Sequence, residues 1–220
     1  MSGAGRPADE LAERLRLIVI TDGVLALPRD VGDVVDAALA AGAPAVQLRE
    51  KTLPPRDVLP LARRLRAATR ASRAFFFVND RLDLALAVGA DGVHLGPDDI
   101  PVAASRRVAL PGFLIGYSAD TPATARAAVA AGADYIGCGT VFPTTTKPDA
   151  GSSTGLAGLA AVAGSVAAPV VAVGGVTPAR APGIFRTGAL GCAAVGAVMA
   201  APDPAHAVRQ ILQAYAANAP

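Results

Sequence analysis

The chain has 220 residues, 52% of them hydrophobic and 4% aromatic, with a formal net charge of +2, which suits one large domain with a buried core. With no Lys/Arg-rich block and no interleaving of basic and aromatic residues, nucleic acid is not an expected partner. No apolar stretch reaches the roughly 20 residues needed to span a bilayer, and the polar opening "MSGAGRPADELAERLR" lacks the apolar region of a signal peptide, so a cytoplasmic protein with no membrane partner is expected.

Residues 1–13 read as an N-terminal extension, frayed or helical, ahead of a catalytic domain over 14–220. Eight short apolar runs then follow in order: LIVIT (17–21), AVQL (45–48), FFFV (75–78), GVHL (92–95), LIGY (114–117), YIGCG (135–139), VVAVG (170–174) and CAAVG (192–196). Each is too short for a helix, and several are continuous rather than alternating, as strands covered on both faces should be. Between them lie Ala-rich stretches of helical spacing. These often begin with Asp, Thr or Pro and end at Gly, as in "VGDVVDAALAAGA" and "DTPATARAAVAAGA". Strand and helix alternate without a break in composition. Eight such units predict a single (β/α)8 TIM barrel; a doubly wound open sheet would need fewer strands, and no GxGxxG follows the first run. Cys138 and Cys192 sit inside apolar runs at no metal-ligand spacing and read as buried free thiols.

In such a barrel the reactive face is the C-terminal end of the strands, and the unusual polar residues collect there. After the second run, Gln47, Arg49 and Lys51 alternate with Leu48 and Glu50, so that two cations and an amide share one face. Asn79 and Asp80 follow the third run, Asp98 and Asp99 the fourth, Ser118 the fifth, and Thr144, Thr146 and Lys147 the sixth. Gly174–Gly175 follow the seventh, and Gly196 ends the eighth. Three cations around one cavity call for a polyanionic guest. Asp80 and Asp99 offer hard oxygen ligands which, with phosphate oxygens, are how Mg2+ is held. Pyrophosphate, as substrate group or leaving group, fits that set. The glycines of the last two strand ends fit a second phosphate held by backbone N–H groups. Taken singly, each element has a plainer alternative: a solvated strand end for QLREK, a turn or cap for Asn79–Asp80, a cap for Asp98 or Asp99 on the helix whose first turn holds Pro101, a tight turn for Gly174–Gly175. His94, inside a strand, reads as a hydrogen-bonded structural histidine, and Asp98 as a bystander.

The segments QLREK, FFVNDRLDLALAVGADGVHLG, DYIGCGTVFPTTTK and VVAVGGV resemble thiamine-phosphate synthase (thiamine-phosphate pyrophosphorylase) in order and spacing over residues 16–200, the run F-P-T-x-T-K being the most specific. The resemblance implies that hydroxymethylpyrimidine pyrophosphate loses pyrophosphate through a dissociative, carbocation-like state and is captured by the nitrogen of thiazole phosphate. It further implies that Gln47, Arg49, Lys51 and Asn79 bind the pyrimidine pyrophosphate, and that Lys147 joins them at the pyrophosphate. Ser118 would lie between that group and the pyrimidine, and Asp80 and Asp99 would ligate Mg2+. Thr144 and Thr146 would face the thiazole phosphate with Thr145 turned away, and Gly175 with the Val195–Gly196 backbone would hold that phosphate. Arg49, Lys51, Ser118 and Lys147 are the implied catalytic set. The family usually carries Gln at Pro97, His at Asp120, and Ser or a similar donor at Gly196. The partners implied are small phosphorylated molecules, and assembly into identical copies is compatible with the sequence. The alternatives are a thiazole tautomerase on the same barrel and a non-catalytic binder of thiamine intermediates. The Pro/Gly/Ser-rich segment 148–154 is the expected lid.

Overall fold

In an all-parallel barrel each strand must be apolar on both faces, one toward the interior and one toward the helices, and the eight runs satisfy this. A computed structural model describes residues 8–144 and 153–218. Its strands are β1 (Leu17–Ile20), β2 (Ala45–Leu48), β3 (Phe75–Asn79), β4 (Gly92–Leu95), β5 (Leu114–Ser118), β6 (Tyr135–Cys138), β7 (Val170–Val173) and β8 (Gly191–Ala194). They form a closed barrel in sequence order, β8 pairing back to β1, with every pairing parallel. The helices are α1 (Ala8–Leu15), α2 (Gly23–Ala26), α3 (Val31–Ala40), α4 (Pro55–Ala71), α5 (Leu82–Ala87), α6 (Val102–Val108), α7 (Pro122–Ala130), α8 (Gly155–Ala163), α9 (Ala181–Phe185), α10 (Gly196–Met199) and α11 (Pro204–Asn218).

Strand alternation splits the core in two. Ile18, Ile20, Ala45, Phe75, Phe77, Leu114, Tyr135, Val171 and Ala193 fill the barrel interior. Their sequence neighbours, such as Val19, Val46, Phe76, Val93, Ile115 and Ala172, meet the surrounding helices. Leu11 and Leu15 of α1 pack against the interior set, and the Arg14 guanidinium lies 5.3 Å from the Phe75 ring centroid. The helix signals act as read from the sequence. Asp30 caps α3, Thr121 and Thr124 form a reciprocal capping box on α7, and glycines of positive φ follow α3, α5, α7 and α9. Strand edges differ by a residue or so. β3 and β5 run on into Asn79 and Ser118, polar residues that hydropathy alone leaves out. β8 begins one residue early, at Gly191, where a Cβ would come within 1.9 Å of the Leu15 carbonyl oxygen. The two cysteines are buried and unpaired.

The two "GAD" turns hold the end of the barrel opposite the strand C-termini. Asp91 accepts from the Phe76 N–H at 2.9 Å and pairs with Arg66 of α4 at 2.7 Å; Asp134 accepts from the Ile115 N–H at 2.7 Å and pairs with Arg106 of α6. In each case a helix stop is followed by a carboxylate that ties a strand to the preceding helix. Among the described residues no helix is long and apolar enough to cross a membrane. Because the Arg66–Asp91 pair is largely buried, Asp91→Ala should lower stability by about 3 kcal/mol or more, leaving a buried guanidinium and the Phe76 amide short of their partner. Chemical denaturation of the two proteins measures this as a shift in midpoint.

Candidate active site

β2 delivers the first group of functional side chains. Gln47 pairs in register with Phe77 and points into the barrel, only 3% exposed. Past the strand end, the Arg49 N–H donates to Thr21 Oγ1 at 2.9 Å, and the Arg49 guanidinium stands 3.9 Å from Asp22. Asp22 is itself fixed by accepting from the Val24 and Leu25 N–H groups at the start of α2. Glu50, between the two cations, closes its own turn by accepting from the Thr52 and Leu53 N–H groups and the Thr52 hydroxyl. The alternation read from QLREK thus has a mechanical basis: Glu50 is occupied by the loop, while Lys51 reaches across to Asp80.

Asp80 sits directly after β3 in the left-handed region, at φ 62°, a conformation Asp tolerates better than most residues. Its N–H donates to the His94 carbonyl of β4 at 2.8 Å, and its carboxylate forms an ion pair and hydrogen bond with Lys51 Nζ. Asp99 folds back over the β4 end to accept from the Gly96 N–H at 2.6 Å. Burial, with the adjoining Asp80 carboxylate, raises the Asp99 carboxyl above its ordinary 3.8, against the Gly96 hydrogen bond and Lys51, which pull it down. Two carboxylates this close favour a cation between them. Among the described residues no group of three or more His, Cys, Asp or Glu side chains is placed to hold a metal ion. Mg2+ takes one or two carboxylates and completes its shell with water and phosphate oxygens, and Asp80 and Asp99 could supply those two. Asp98 is exposed. Neither aspartate caps α6, whose N-cap position is Pro101 with no side-chain hydrogen bond. Asn79 closes β3 in register with His94.

Ser118, the last residue of β5, has its Oγ 3.0 Å from His94 Nε2, and His94 Nδ1 lies 3.0 Å from the Tyr135 hydroxyl. The buried Gln47 side chain lies beside the same hydroxyl. His94 is thus hydrogen-bonded and buried, as read from the sequence, and it links Tyr135 in the interior to Ser118 of the expected site. Asp120 accepts from the Gly139 N–H at 3.3 Å, across the exits of β5 and β6.

The other side of the rim is built by β6, β7 and β8. Gly174 and Gly175 have φ of 93° and 64°. A Cβ on Gly174 would come within 2.8 Å of Thr140, and one on Gly175 within 2.8 Å of Phe142, so the two loops meet backbone to backbone. Arg180 braces this junction, donating to the Gly175 carbonyl at 2.7 Å with its guanidinium carbon 4.7 Å from the Phe142 ring centroid. Thr144 stands partly buried two residues further on, and Val195 and Gly196 open α10 at the β8 end. Thr145, Thr146, Lys147 and residues 148–152 of the expected lid lie outside the described residues.

The structure therefore pairs Lys51 with Asp80 and sets Asp99 beside them, links Tyr135 to Ser118 through His94, and joins the loops carrying Gly175 and Thr144. Sequence reading missed Thr21 and Asp22 behind Arg49, Tyr135 inside the barrel, and Arg180. No spacing announces the first two or the last. A hydroxyl-bearing Tyr at an interior strand position was the one available signal, since a buried phenol needs a partner. The rim offers cations and hydroxyls on one side and open backbone on the other, an arrangement suited to negative charge.

The sequence profile described as thiamine monophosphate synthase matches residues 17–198. A thiamine-phosphate synthase from Moorella thermoacetica is 45% identical over 195 residues, 89% of this chain and 93% of the relative. The thiamine biosynthesis bifunctional protein ThiM/ThiE of Symbiobacterium thermophilum is 50% identical over 94% of this chain, which spans 42% of that longer protein. Among solved structures, thiamine phosphate pyrophosphorylase from Pyrococcus furiosus superposes with a TM-score of 0.87 at 41% identity, covering 94% of this chain and 98% of the other.

Asp99 gives a pH-dependent expectation for the metal-free protein. A carboxyl whose folded-state pKa is raised supports the fold while protonated and loses that support as pH rises through the raised value. Replacing it with a neutral isostere relieves the repulsion from Asp80 at neutral pH. Asp99→Asn should therefore melt slightly higher than the parent near pH 7, and the difference should vanish as pH falls below 3.8. Thermal melts of both proteins across that range read it out.

Proposed function

Because the chain belongs to the thiamine monophosphate synthase family, a family of transferases, we propose that its rim joins hydroxymethylpyrimidine pyrophosphate to thiazole phosphate by an Mg2+-assisted dissociative displacement. The bond from the pyrimidinyl-methyl carbon to the pyrophosphate oxygen breaks, and its electron pair leaves with pyrophosphate. The thiazole nitrogen then forms the new bond, giving thiamine phosphate. The ion pair of Lys51 with Asp80, with the Asp99 carboxylate adjoining it, is the observation that carries this reading: an ammonium and two carboxylates at one point suit a metal-bound polyanion.

Asp80 and Asp99 would hold Mg2+, which when bound neutralises charge on the departing pyrophosphate. Arg49, braced by Asp22 and Thr21, and Lys51 face the same anion. Gln47 and Asn79 orient the pyrimidine side of the substrate, with Ser118 between the two. Lys147 joins the pyrophosphate, and Thr144 and Thr146 take the thiazole phosphate with the backbone of Gly175, Val195 and Gly196; for Lys147 and Thr146 the sequence is the sole basis. Dissociation needs positioning and electrostatics rather than a nucleophile, and Cys138 and Cys192 agree with that. Both are buried, and burial raises their thiols to about 11 and about 12 respectively, Asp120 adding to the effect on Cys138. A tautomerase would keep a thiazole phosphate site and need a proton carrier. The residue at position 120 is an aspartate hydrogen-bonded to the Gly139 amide, which favours the synthase.

Mixing both substrates with Mg2+ and following pyrophosphate separates the readings. Pyrophosphate release only when both substrates are present supports the synthase. Isomerisation of the thiazole without pyrophosphate points to the tautomerase, and tight binding without turnover to a sensor. Lys51→Ala and Asp99→Ala should each lower kcat/KM by about 100-fold with the far-ultraviolet dichroism unchanged; wild-type turnover in both would refute the site.

A further inference from the structure

Polar groups are rare inside a barrel of this kind, because each must find its partners there. Three form a hydrogen-bonded line from the interior to the rim, Tyr135 on β6, His94 on β4 and Ser118 at the end of β5, with the Gln47 side chain of β2 beside Tyr135. Tyr135 is wholly buried, Gln47 is 3% exposed and His94 9%. The two bonds along His94 are both 3.0 Å. Space for the rings is made by two glycines. A Cβ on Gly116 would lie 2.1 Å from the Tyr135 ring, and one on Gly137 would lie 2.8 Å from the His94 ring. Phe77 packs edge-on against Tyr135 at 5.4 Å.

We propose that this line is a one-way hydrogen-bond relay that locks His94 as its Nε2–H tautomer and turns the Ser118 hydroxyl proton out toward the anion at the rim. Tyr135 and His94 are positioning residues that act through Ser118. The order follows from counting protons. Burial above all, with Asp134 adding to it, raises the Tyr135 hydroxyl far above its ordinary value, so the phenol keeps its proton. The neighbouring Gln47 amide pulls the other way without reversing the shift. Among the described residues the acceptor within hydrogen-bond distance of that buried phenol is His94 Nδ1 at 3.0 Å, so Tyr135 sends its one proton there. An imidazole that accepts at Nδ1 carries its proton on Nε2, and that N–H donates to Ser118 Oγ. The serine proton must then point elsewhere, and the open direction is the rim. No proton is transferred along the line. Its effect is a donor already aimed where charge builds on the leaving group, strengthened by the bonds behind it. The serine's partner rests on the function proposed above; the tautomer does not.

Two measurements test it. The chain has two histidines, and His206 is exposed. His206→Gln protein labelled with 15N-histidine thus carries one imidazole, read by long-range proton–nitrogen correlation without substrate. Nε2 should be protonated and Nδ1 bare; a proton on Nδ1, alone or in addition, overturns the relay. In the second, Tyr135→Phe, which removes one oxygen, should lower kcat about 10-fold with both KM values changed less than about two-fold. It should have no further effect in a Ser118→Ala background. An unchanged kcat, or an equal loss with and without Ser118, overturns it. An unsubstituted enzyme that forms no pyrophosphate refutes the reaction instead, and the tautomer then decides the relay.

Discussion

Eight strands that all run the same way bring eight C-terminal ends to a single rim, and the closed register leaves no freedom in which residues face inward. β1 pairs with β8 through Ile18 and Ala193, and each later strand keeps the same alternation. A polar residue placed at an inward position near a strand end therefore has one destination. Gln47, Asn79 and Ser118 occupy such positions. The loops that follow inherit the direction, so that Lys51 from β2, Asp80 from β3 and Asp99 from β4 meet although they are far apart along the chain. The opposite end is held by Asp91 and Asp134, each tying a strand to the preceding helix. Stability and chemistry are thereby assigned to different ends of the same strands.

The rim is under electrostatic tension. Asp80 and Asp99 repel, Lys51 offsets part of that, and Asp80 is held in a backbone conformation few residues adopt. Such arrangements cost stability, and under the proposed function a bound cation would relieve the repulsion. On the far side the tension is steric. Gly174 and Gly175 allow the β6 and β7 loops to touch, and Arg180 pins them. Under the proposed function one half of the rim would take a metal-bound polyanion and the other a phosphate on bare backbone.

Much of this was legible in the sequence for physical reasons. Parallel strands covered on both faces are short continuous apolar runs, and all eight appear where the runs stand. Their ends were less legible because Asn79 and Ser118 are polar yet still pair in the sheet. Gly191 reads as a turn but is required by the Leu15 carbonyl. The alternation in QLREK and the motif F-P-T-x-T-K pointed to the rim and to the family. Asp22 and Arg180 were not legible, because each acts on a residue distant in sequence or on a backbone carbonyl. The interior line was half legible. His94 was read as hydrogen-bonded, but its partners sit on β5 and β6, and only the barrel's closure makes them neighbours. The glycines opposite, Gly116 and Gly137, look like simple strand content until the rings they admit are seen.

The central claim is that the acidic pair and the cations at the rim form one site for an Mg2+-bound pyrophosphate. A crystal structure of the protein with Mg2+ and inorganic pyrophosphate tests it most directly. It should show the metal between the Asp80 and Asp99 carboxylates, with pyrophosphate oxygens completing its shell and lying against Arg49 and Lys51. Pyrophosphate bound away from that rim, or a metal held by other residues, would contradict the account.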